Sequence, residues 1–60
     1  MKEGDVVRHR FSQTNYLVER LTPKKAEVRQ YLADGTLSSG TVMVLRRNLV
    51  VVRKKNEEVR

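Results

Sequence analysis

Thr41-Val42-Met43-Val44-Leu45-Arg46-Arg47-Asn48-Leu49-Val50-Val51-Val52 is the stretch that decides how this chain folds. Nine of its twelve residues are apolar or Thr-like strand formers, and the break falls at Arg46-Arg47-Asn48. Three polar residues are too few for an α-helix. They fit a single 3₁₀ turn between two strands, one over 41–45 and one over 49–52. Alternation turns Val42, Val44, Leu49 and Val51 inward and leaves Met43, Leu45, Val50 and Val52 facing outward. A chain of 60 residues cannot leave so much Val, Met and Leu in water, so the remaining strands must close over this segment.

Upstream, Gly4-Asp5 is a turn pair leading into a first strand over 6–11. Period two separates Val7, His9 and Phe11 from Val6, Arg8 and Arg10. The arginines face water, so Val7 points inward beside a hydrogen-bonded His9; Phe11, at the end of the strand, is either core, which alternation favours, or an exposed loop anchor. Ser12-Gln13-Thr14-Asn15 has the composition of a loop. In a second strand over 16–21, Tyr16 and Val18 share the core face while Leu21 breaks the alternation. A one-residue bulge near Glu19-Arg20 returns Leu21 to the core. Thr22-Pro23-Lys24-Lys25 is a tight turn. The third strand, 26–32, turns Ala26, Val28 and Leu32 inward and Glu27, Arg29 and Tyr31 outward. Gln30 falls on its core face and needs a partner or a place near the barrel end. Ala33-Asp34-Gly35-Thr36 carries the Asp-Gly hairpin signal. Five short strands without a helix give an all-β fold, a five-stranded antiparallel small barrel over 1–52. Residues 53–60 are expected to form a charged, flexible tail.

Gly4-Asp5-Val6-Val7, Tyr16-x-Val18, a strand ending near Asp34-Gly35 and a short turn before Leu49 together resemble an SH3-like small barrel. The pattern is similar to bacterial Gly-Asp-x-Val proteins of the Tudor and KOW type. The chain lacks the Gly that follows the first strand of a KOW motif. It also lacks the acidic loop and paired aromatics of peptide-binding SH3 domains. The resemblance implies a scaffold whose relatives bind nucleic acid, polymerase subunits or other proteins. It implies no activity.

Thirteen Lys and Arg against seven Asp and Glu give a net charge of +6. Nine basic and five acidic residues fall within 1–52, so the body as well as the tail is positive. Such a surface suits polyanionic partners. There is no cysteine and only one histidine, so no thiolate zinc site, disulfide framework or imidazole cluster is expected. No nucleophile motif, paired acids or phosphate loop is present, so neither an enzyme nor a cofactor or small-molecule substrate is expected. The N-terminal segment lacks the apolar run of a signal peptide, and no stretch is long and apolar enough for a membrane span. A cytoplasmic location is the expectation.

Two surfaces are candidates for function. Arg8, Arg10, Arg29, Arg46 and Arg47, with Tyr31 beside Arg29, form a nucleic-acid candidate, because guanidinium groups bind phosphates bidentately and stack on bases. DNA and RNA both remain open. Balance by Glu19 and Glu27 is the competing explanation of that face. The outward residues Met43, Leu45, Val50 and Val52 form a protein-interface candidate, either a homodimer seam or a docking site for a larger partner such as the transcription machinery.

Overall fold

The computed structural model describes residues 1–54. Five strands, β1 (Val6–His9), β2 (Asn15–Leu21), β3 (Lys25–Gln30), β4 (Val42–Leu45) and β5 (Leu49–Arg53), form one antiparallel sheet. Its order is β4-β3-β2-β1-β5. A 3₁₀ turn, Arg46–Asn48, joins β4 to β5. The all-β class, the five antiparallel strands and the turn before the last one therefore match the reading of 41–52. β5 includes Arg53, one residue beyond the expected end, and residues 55–60 of the expected tail lie outside the described residues.

The barrel is not closed by backbone pairing. β4 and β5 are the two edges of the sheet, and no ladder joins them. The reason lies in the turn: its flanking residues Leu45 and Leu49 are both extended, so the chain is carried across from β3 to β1 instead of being reversed into a hairpin. The open sheet is nonetheless strongly curled. The Arg46 N–H donates to the Lys24 carbonyl at 2.9 Å, and the Arg10 N–H donates to the Asn48 carbonyl at 2.8 Å. Lys24 follows the end of β2, whereas Arg10 lies beside its start, where the His9 N–H donates to the Thr14 carbonyl at 3.2 Å. β2 is about 20 Å long, yet three 3₁₀ residues rise only about 6 Å. Only curvature can bring both ends of β2 to one turn.

Val7, Val18, Ala26, Val28 and Leu49 form the buried core, with Met1, Tyr16, Leu21, Val44 and Val51 packed against it. The ladder explains the set. Val51, Val7 and Tyr16 face one another across β5, β1 and β2, and Leu21, Ala26 and Val44 do so across β2, β3 and β4. Val18 pairs with Val28 and Arg20 with Glu27, so Glu19 is the extra residue of a bulge, which returns Leu21 to the core as its broken alternation requires. A second irregularity lies in β5: Val7 pairs with Val51 and Val6 with Arg53, leaving Val52 as the extra residue.

Three inward assignments are corrected. Phe11 is 75% exposed, because β1 ends at His9 and the Ser12 N–H turns back onto the His9 carbonyl at 3.1 Å. Leu32 is exposed because β3 ends at Gln30, after which Tyr31 makes only an isolated bridge to Leu37. Val42 lies opposite Val28 on the core side, but at the sheet edge it stays half exposed. Gln30 is exposed and needs no buried partner.

Candidate nucleic-acid interface

The outer side of β2 and β3 neutralises itself. Arg29 Nε donates to Glu19 Oε2 at 3.2 Å, and its Nη1 donates to the Ser38 carbonyl at 2.9 Å. The Glu19 bulge puts that carboxylate within reach. Arg20 pairs with Glu27 at 3.1 Å, and the Thr41 hydroxyl donates to the other Glu27 oxygen at 2.7 Å. The Thr41 hydrogen bond, followed by the Arg20 hydrogen bond, holds the Glu27 carboxyl below its ordinary pKa, and the charges of Arg20 and Arg29 add to this. Arg29 is thus engaged at two of its donors. Tyr31 is half-buried near the end of the same strand, and its N–H donates to the Asn15 carbonyl at 3.0 Å.

A different set of cations has no such balance. Arg46 Nη1 donates to the Thr22 carbonyl at 3.0 Å, which anchors the 3₁₀ turn on the Pro23 turn. Thr22 itself stabilises that turn, its hydroxyl donating to the Lys25 carbonyl at 3.1 Å while accepting from the Lys25 N–H at 3.0 Å. Arg10 Nη1 reaches the Arg47 carbonyl at 3.3 Å. Between the two turns lies an open hollow of about 420 Å³ lined by Pro23, Lys24, Leu45, Arg46 and Arg47. Among the described residues the ion pairs are Arg20–Glu27 and Arg29–Glu19, so Arg10, Lys24, Arg46 and Arg47 have no carboxylate partner. Cations gathered without counter-charges raise the local potential and attract anions.

The curled sheet therefore brings Arg10, Arg46 and Arg47 together. It leaves Arg8 apart, half-buried in β1 between Asn15 and Val50 in the ladder, and it leaves Arg29 on β3 with Tyr31 just past that strand's end. Lys24 joins the cluster although the sequence marks it only as a turn residue. No local signal could have found it, because its neighbour Arg46 stands far away along the chain. Phe11 is the second residue outside the candidate set; alternation favours the core for it over the exposed loop position that it occupies.

The apolar candidates do not form one row by pairing. Met43, Val50 and Val52 are roughly half exposed, and Leu45 is half-buried at the wall of the hollow. Met43 faces Glu27 from β4, while Val50 faces Arg8 from β5, the opposite edge of the sheet. Among the described residues no cluster of His, Cys, Asp and Glu could hold a metal ion, and no helix is long and apolar enough to cross a membrane. His9 Nδ1 accepts a hydrogen bond from the Phe11 N–H at 3.2 Å. Set against protein-family models, curated proteins and solved structures, the chain matches none of them.

Proposed function

We propose that this protein is a non-enzymatic binding module that holds nucleic acid chiefly through its phosphates, with little preference for sequence. One observation carries the reading: Lys24, Arg46 and Arg47 line one hollow, Arg10 reaches the Arg47 carbonyl beside it, and none of the four has an acidic partner among the described residues. Guanidinium groups suit phosphate oxygens better than ammonium groups do, and three of the four cations are arginines. Phosphate contacts fix register without reading bases, so weak sequence preference follows. Arg29 and Tyr31 drop to a supporting place in this reading, since Glu19 and Ser38 already hold the Arg29 donors.

The double substitution Arg46→Glu/Arg47→Glu is expected to weaken binding to a short labelled strand. It should also flatten the dependence of log affinity on log salt by about 1.5, the loss of two phosphate contacts. Affinity unchanged at low salt would show that the cluster is not the contact surface.

A second reading rests on the exposure of Met43, Val50 and Val52. Apolar side chains on sheet edges suit a protein interface, either a second copy or a larger partner. Under this reading Val50→Asp abolishes association, seen by sedimentation or capture of a partner, while amide spectra stay native. Association that persists in the variant, or that disappears as salt rises, speaks for the charged surface instead.

A further inference from the structure

We propose that Phe11 is a base-stacking platform and that the polyanion bound at the 3₁₀ turn is single-stranded nucleic acid; this deepens, and rests on, the phosphate-binding reading above. At 75% Phe11 is the most exposed of the large apolar side chains among the described residues. Water around so much aromatic surface is unfavourable unless a ligand covers it. The segment carrying the ring is also held in place. The Phe11 backbone N–H donates to His9 Nδ1 at 3.2 Å, and the ring centroid lies 5.7 Å from that of the His9 ring at a tilt of 55°. The Thr14 N–H closes the loop onto Ser12 Oγ at 3.2 Å. A fixed aromatic loses less freedom on binding than a mobile one.

The position of the ring selects the ligand. The Arg10 guanidinium carbon lies 5.4 Å from the Phe11 centroid, and the same guanidinium donates to the Arg47 carbonyl. One continuous path thus runs from an exposed aromatic through Arg10 to Arg47 and the hollow beside Arg46 and Lys24. A ligand matching it must offer a flat apolar face and, next to it, negative charge. A nucleotide in a single strand offers both, whereas a duplex hides its base faces in the stack.

Fluorescence anisotropy with three labelled probes tests this: a short thymidine oligonucleotide, an abasic strand of the same length and a duplex of the same length. Wild-type protein is expected to bind the thymidine strand more tightly than the abasic strand or the duplex. Phe11→Ala should weaken thymidine binding by roughly 5- to 100-fold while leaving abasic binding and the salt slope unchanged. Phe11→Tyr should retain the preference for bases. Phe11 contributes nothing to the buried core, so these variants keep the fold, which amide spectra verify. Thymidine binding that survives Phe11→Ala within about twofold, or a duplex bound as tightly as the single strand, overturns the stacking role. If Arg46→Glu/Arg47→Glu still weakens binding in that case, the phosphate reading stands alone. Absence of binding to all three probes at low salt removes both.

Discussion

Glu27 shows how one side chain organises a surface. Its two oxygens are divided between Arg20 and Thr41, which ties β2, β3 and the approach to β4 at one point. Because the folded carboxyl sits below its ordinary value near 4.5, with the Thr41 hydroxyl as the leading cause, the ionised form favours the folded state. That contribution is fully present above the unfolded pKa and is lost as pH falls through the folded one. Thr41→Val is therefore expected to move the Glu27 titration, followed by its carboxyl chemical shift, upward toward the ordinary value. It should also shrink the loss of stability as pH falls below the ordinary carboxyl value of 4.5. A Glu27 titration identical in the two proteins would assign the shift to Arg20 alone. The balance of arginines by Glu19 and Glu27 was legible from their shared strand faces. Which arginine meets which glutamate was not, because the bulge at Glu19 changes the register between them. For Phe11 the core, favoured over an exposed loop position, is the wrong one of the two: alternation says which side a residue takes while a strand lasts, and β1 stops two residues earlier.

Elements were read better than their ends. The count of strands, the Pro23 turn, the bulge and the 3₁₀ turn all follow from local chemistry, since proline, Asp-Gly and the Arg-Arg-Asn break each restrict the backbone where they stand. Strand ends are set by the neighbour instead. β1 stops because β2 begins opposite Arg8, and β3 stops where the chain leaves β2 behind. Beyond β3, the link to β4 is shaped by Gly35, whose φ is +88°. Its N–H donates to the Leu32 carbonyl at 2.9 Å, while the Leu32 N–H donates to Thr36 at 2.7 Å and Asp34 Oδ1 accepts from both the Thr36 amide and hydroxyl. A Cβ added at Gly35 would meet nothing within 4 Å, so the cost of Gly35→Ala is backbone strain alone. That cost is about 1–2 kcal/mol, read as a lower urea midpoint with an unchanged slope. A substantially larger loss would reveal packing of this turn that the structure lacks.

At the scale of the whole molecule, the excess of positive charge is visible in composition, but its concentration is not. Arg10, Lys24, Arg46 and Arg47 become neighbours only because the sheet curls until one three-residue turn reaches both ends of β2. Periodicity describes strands one at a time and carries no measure of that curvature. The same arrangement bears on how the molecule comes into being. β1 lies inside the sheet, flanked by β2 on one side and β5 on the other. Val7 therefore waits for Val51, about forty positions later, and the entropy of closing so long a loop falls due before its contacts form. On the ribosome β1 emerges before β5 and stands with one side unpaired until β5 has been made. The growing chain cannot complete its core a piece at a time, and its period of greatest exposure to misassembly is the interval between those two strands.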